Sequence, residues 1–248
     1  MDLDRRSFIG AGAALVANSA LAAPAQIKAI AFDGLAIFDA RPIGALAEQL
    51  FPGRGEALTA AWRTRQFEYT WLRSLTGRYA DFWTVTDEAL TFAAALLKIE
   101  VTPVQRRQLM DRFLALDAWP DVIPALGRMK EAGLKLALLT NFSPRMIDAN
   151  ARHAALGGLF DHRLSTDAVQ VYKPDPRAYQ MGVEAFGLSR DQILFVAFAG
   201  WDAHGAMSFG YPTFWANRAG LPAEELGLKP LAIGKGMADL TAHLETLR

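Results

Sequence analysis

Two carboxylates, an ammonium and a hydroxyl–amide pair stand at the ends of apolar runs in this chain. Asp33 closes Ile27-Lys28-Ala29-Ile30-Ala31-Phe32, Thr140-Asn141 closes Leu134-Lys135-Leu136-Ala137-Leu138-Leu139, and Asp202 lies just past Ile193 to Phe198. Lys173 comes directly after Val169-Gln170-Val171-Tyr172. A carboxylate that attacks carbon must stay ionised, and a nearby ammonium favours its ionised form. A second carboxylate can orient water or anchor the lysine. A hydroxyl and an amide can hold a substrate carboxylate. Each residue also has a plainer use: Asp33 and Asp202 as helix caps, Thr140 and Asn141 as turn residues, Lys173 as a solvated loop cation. Their joint occurrence at strand ends is what points to a site.

The apolar runs read as strands buried on both faces of a parallel sheet, and ligands collect outside the carboxyl ends of such strands. Gly34, directly after Asp33, would let a ligand approach the backbone. Pro212 to Ala216 reads as a further strand. Between Asp33 and the next strand the signal changes to helical periodicity. Ile43 to Phe51, the Leu58–Trp62–Tyr69–Leu72 run up to Gly77, Thr86 to Lys98 and Pro103 to Leu116 make four helices. Helices over Val122 to Ala132, after Ser143-Pro144 and after Asp175-Pro176 restore the α/β alternation. The expected fold is α/β, a doubly wound and mostly parallel sheet. The core spans 24–41 and 118–248, and 42–117 form an inserted helical cap.

Composition narrows the partners. The 248 residues carry 26 basic and 26 acidic side chains, so no net charge points to nucleic acid or an anionic membrane. Hydrophobic residues make up 52%, ample for a large core. There is no cysteine, which excludes disulfides and thiolate metal sites, and the four histidines lack metal-ligand spacing. At the N-terminus, Arg5-Arg6, an Ala/Gly/Leu/Val stretch and Ala20-Leu21-Ala22 match a twin-arginine export signal over residues 1–23. That stretch is too short for a good membrane span. The expectation is a periplasmic protein with no stable membrane association after signal removal, and a cytoplasmic one if the signal is not used.

Three long strings extend the pattern: Trp62-Arg63-Thr64-Arg65-Gln66-Phe67-Glu68-Tyr69-Thr70-Trp71-Leu72-Arg73-Ser74-Leu75, Val171 to Tyr179, and Trp201-Asp202-Ala203-His204-Gly205-Ala206. With Asp33 they resemble the haloacid dehalogenase superfamily, and within it the L-2-haloacid dehalogenase (type II) branch, over residues 27–228. The resemblance implies hydrolytic dehalogenation of short (S)-2-haloacids to (R)-2-hydroxy acids through an aspartyl ester, without cofactor or metal. It implies Asp33 as nucleophile, Arg63 as acceptor of the departing halide, and Lys173 and Asp202 as the remaining catalytic residues. Gly34, Leu35, Thr140, Asn141, Phe82, Tyr179 and Trp201 would surround the substrate, a small halogenated carboxylic acid. A homodimer is compatible with it.

Two segments depart from the branch. Its first motif has a longer Asp-to-Asp loop with Tyr, Gly and Thr, whereas Asp33 to Asp39 is one residue shorter and lacks the Tyr and Thr. Its Ser-Ser-Asn segment is replaced by Ala197-Phe198-Ala199. Two other functions compete: a phosphohydrolase of the same superfamily, and a non-catalytic binder of small carboxylates. Against the first, the second Asp that such phosphatases place two residues after the nucleophile is Leu35. Against the second, Asp33, Arg63, Lys173 and Asp202 are all retained.

Overall fold

The computed structural model describes residues 26–247. The expected export signal and its Ala20-Leu21-Ala22 site lie outside them. In chain order the elements are β1 (Ala29–Phe32), α1 (Gly34–Ile37), α2 (Arg41–Leu50), α3 (Gly55–Thr76), α4 (Phe82–Leu96), α5 (Pro103–Arg112) and α6 (Val122–Glu131). Then come β2 (Lys135–Thr140), α7 (Pro144–His153), β3 (His162–Ser165), α8 (Pro176–Phe186), β4 (Ile193–Ala197), α9 (Gly200–Phe209), β5 (Thr213–Ala216), β6 (Ala232–Gly234) and α10 (Met237–Thr246). Among these, no helix is long and apolar enough to cross a membrane.

The six strands form one parallel sheet in the order β3-β2-β1-β4-β5-β6. The winding direction reverses between β1 and β4, the kind of switch point where α/β sheets open a crevice. Strand side chains alternate between two cores. Ile30, Phe32, Leu136, Leu138, Leu194 and Val196 pack on one face with α6, α7 and α10. Ala29, Ala31, Ala137, Leu139, Ile193 and Phe195 pack on the other with α8 and α9. This two-sided burial is why the strands read as unbroken apolar runs.

The expected strands and helices are present, with shifts that have local causes. The helix expected from Thr86 starts at Phe82, because the Asp81 carboxylate accepts from Thr84 N at 2.7 Å and caps it there. The helix expected to reach Leu116 stops at Arg112. Two strands lack the apolar signature that marks the others. β3 reads His-Arg-Leu-Ser and carries no apolar run, and β6 is a three-residue edge strand with Ile233 half exposed. The run at Ile193 is the fourth strand in chain order.

Helices α2 to α5 fall between β1 and β2 in the chain. The segments leading into and out of them are tied by an antiparallel bridge, Phe38 to Ala118. Asp39 N donates to Asp117 O at 2.9 Å, and Trp119 N to Ile37 O at 3.0 Å. A side chain from α7 holds the exit. Asn150, fully buried, donates through Nδ2 to Phe113 O at 2.9 Å and accepts from Leu116 N at 2.8 Å. Asn150→Ala strands both backbone groups away from water, each costing about 1–3 kcal/mol. We expect it to lower stability by about 3 kcal/mol, read as a fall in urea midpoint at unchanged slope. A loss below about 1 kcal/mol would show that the exit is held by other contacts.

Candidate active site

Asp33 is the first residue beyond β1, and its amide still donates to Val196 O at 2.9 Å. Its side chain then turns back to cap α1, Oδ1 accepting from Leu35 N at 2.8 Å. The capping use and the site use of this residue therefore coexist: the cap fixes one carboxylate oxygen and leaves the other to the site. Oδ2 accepts from Lys173 Nζ at 2.6 Å, and the same ammonium donates to Asp202 Oδ2 at 2.8 Å. Lys173 is fully buried. Asp202 sits in the first turn of α9, where the helix dipole favours a carboxylate.

Strand order explains the convergence. β1 lies between β2 and β4, so the segments leaving the carboxyl ends of these three strands meet at one crevice. Asn141 Oδ1 accepts from Lys173 N at 3.0 Å and so pins the lysine loop to the end of β2. Its Nδ2 is buried without a hydrogen-bond partner, and Asn141 lines a small cleft together with Asp33 and Thr140. An orphaned buried donor beside a carboxylate is suited to donate to an anionic oxygen of a ligand. Gly34 has a packing role of its own. A Cβ there would lie 2.7 Å from Thr140 Oγ1, so the glycine permits the close approach of the β1 and β2 ends.

Tyr179 is buried below the cleft. Its hydroxyl donates to Asp202 Oδ1 at 2.8 Å and so helps to position that carboxylate. Leu35, Phe82 and Trp201 do line the cleft. Trp201 is held against Phe67 (5.2 Å between ring centroids) and Trp71 (5.6 Å), both from α3.

Arg63, also on α3, has no ion pair or hydrogen bond among the described residues; its guanidinium lies over the Phe198 ring at 4.9 Å. It is exposed by area because it faces a cavity of about 550 Å³, yet protein surrounds it closely enough that burial lowers its pKa, opposed by the charge of Asp33. Phe198 is legible in the sequence as a departure from the branch pattern, but its stacking under Arg63 is not.

Burial opposes the charge on Lys173, but attraction to Asp202 and Asp33 outweighs it and holds the lysine above its ordinary value. For Asp202, burial dominates. Lys173 shares its charge between two carboxylates and compensates only partly, so Asp202 is pushed up to about 6. Among the described residues, no three His, Cys, Asp or Glu side chains converge in a way that could hold a metal ion.

An α/β core with an aspartate after its first strand, a lysine bridge and a second aspartate defines a hydrolase class that the comparisons identify. Residues 22–210 match the family described as haloacid dehalogenase-like hydrolase. A curated relative, the (S)-2-haloacid dehalogenase of Pseudomonas sp. (strain YL), is 47% identical over 205 residues, covering 82% of this chain and 88% of its own. A solved L-2-haloacid dehalogenase superposes with a TM-score of 0.88 at 44% identity, covering 89% of this chain and 100% of its own. The L-2-haloacid dehalogenase of Xanthobacter autotrophicus, solved with chloropropionic acid covalently bound, superposes with a TM-score of 0.82 at 32% identity, covering 90% and 100%. The chain belongs to the haloacid dehalogenase-like hydrolase family, among its L-2-haloacid dehalogenase members.

Because the folded-state value of Asp202 lies above the 3.8 of an unperturbed carboxyl, ionising it disfavours the fold. Its contribution to stability is thus greatest below pH 3.8, falls as pH rises to about 6, and is constant above that. Tyr179→Phe removes a donor to the ionised form, so Asp202 should titrate above 6 in the variant. Carboxyl ¹³C NMR, with the Asp202 signal assigned through Asp202→Asn, measures this. An unchanged or lower midpoint would show that Tyr179 does not act on that carboxylate.

Proposed function

We propose that the protein hydrolyses (S)-2-haloacids to (R)-2-hydroxy acids through an ester on Asp33. The observation that carries this reading is the environment of Asp33: a carboxylate fixed by Leu35 N and Lys173, with Arg63 nearby as a cation lacking any acidic partner among the described residues. The substrate carboxylate is held by Thr140 and the unpartnered Asn141 Nδ2. Asp33 attacks C2 from the side opposite the halogen, forming a C–O bond as the C–halogen bond breaks. The halide leaves towards Arg63. Asp202 then takes one proton from water as the water oxygen attacks the Asp33 carbonyl carbon. The other proton passes to the departing C2 oxygen as the ester bond breaks. The hydroxy acid leaves with inverted configuration, Asp33 is again a carboxylate, and Asp202 gives up its proton to solvent.

A halide needs no protonation to leave, which suits Leu35 where a phosphatase would place its general acid. Helices α2 to α5 act as a cap domain, delivering Arg63 and Phe67 over the core. The Arg5-Arg6 signal supports export to the periplasm, checked by fractionating cells and reading the mature N-terminus.

The test is halide release from (S)- and (R)-2-bromopropionate with and without chelator. We expect release from the S enantiomer, unaffected by chelator, and loss of at least about 10³-fold in kcat for Asp33→Asn, since a neutral amide is a poor nucleophile. Activity that chelator abolishes and magnesium restores, on phosphate esters and not on haloacids, would replace this reading with a phosphohydrolase.

A further inference from the structure

The cleft at Asp33 is small, about 10 Å³, roughly room for one water. Leu35, Phe67, Phe82, Phe142, Phe198 and Trp201 line both this cleft and the 550 Å³ cavity between α3, the start of α2 and the segment after β5. These six side chains form an apolar neck between a reactive carboxylate and a volume in the range that holds ligands of drug size, about 300–1,000 Å³. A haloacetate or halopropionate would leave most of it unfilled.

The cavity wall is mostly apolar in effect. Trp62 has its indole donor engaged by Thr86 O at 2.7 Å, so it offers only its ring surface. Of the cavity's three arginines, Arg41 is paired with Asp39 at 2.7 Å and Arg218 with Asp121 at 2.8 Å, while Arg63 has no acidic partner among the described residues and lies over Phe198. The guanidiniums of Arg41 and Arg218 each lie 4.5 Å from the Trp119 ring centroid. Two places where the sequence departs from the branch pattern border this space: Leu35, in the short Asp33–Asp39 loop, and Ala199.

We propose that the substituent on C2 of the substrate runs through this neck into the cavity, so that 2-haloacids with longer alkyl or aryl substituents are better substrates than the short ones. This inference rests on the dehalogenase reading and adds the substrate class to it. The carboxylate stays at Asn141 and C2 at Asp33, and the substituent displaces water from apolar walls. Each methylene buried in this way is worth about fourfold in kcat/KM.

The test compares kcat/KM for (S)-2-bromopropionate, (S)-2-bromohexanoate and (S)-2-bromo-3-phenylpropionate. The expected result is a hexanoate-to-propionate ratio above about 10, falling at least about tenfold in Thr59→Trp, which fills the cavity from α3. Ala219→Trp, filling it from the segment after β5, serves if the first variant does not fold. Halide release from bromopropionate with no gain for the longer acids overturns the inference and leaves the dehalogenase reading intact. No halide release from any acid overturns that reading, and this inference with it.

Discussion

One buried ammonium, shared between two carboxylates, is the interaction on which the rest of the site depends. Lys173 has no exposed surface, and among the described residues its charge is paired only with Asp33 and Asp202. Removing one partner of a buried ion pair typically costs about 3–5 kcal/mol, because the other charge is left uncompensated. Here loss of the lysine would leave two carboxylates facing each other in the crevice. The same arrangement gives the two acids different surroundings: Asp33 is also held by a backbone amide, while burial pushes Asp202 up to about 6.

The sheet makes this possible. Asp33 comes after a strand only four residues long, flanked on both sides and buried on both faces. A one-residue slip would exchange the two cores and turn the carboxylate out of the crevice. Alanines supply the β1 side chains facing α8 and α9, whereas Ile30 and Phe32 face the other layer, so the register is set by size as well as polarity.

Much of this is legible in the chain. Apolar runs ending in Asp33, Thr140-Asn141 and Asp202 announce buried strands with polar ends, and helical periodicity marks α2 to α5. The convergence of those ends is not legible, because the order β2-β1-β4 depends on pairing between segments more than a hundred residues apart. β3 and β6 carry no signal, since neither has the composition of a buried strand. The hydrogen bond from Tyr179 to Asp202 is not legible either, since it joins α8 to α9 across the fold. The cavity has no signature in the sequence, since it is a volume enclosed by α3, the α2 entry and the segment after β5 together.

The central claim is that Asp33 itself forms the covalent bond. Enzyme in excess over (S)-2-bromopropionate in ¹⁸O-water, followed by mass spectrometry of the Asp33 peptide and of the product, reads this directly. Attack by Asp33 predicts unlabelled hydroxy acid from the first turnover, with one ¹⁸O retained in the Asp33 carboxylate after water has opened the ester at its carbonyl carbon. Labelled hydroxy acid beside an unlabelled Asp33 would contradict it and assign the attack to a water held by Asp202.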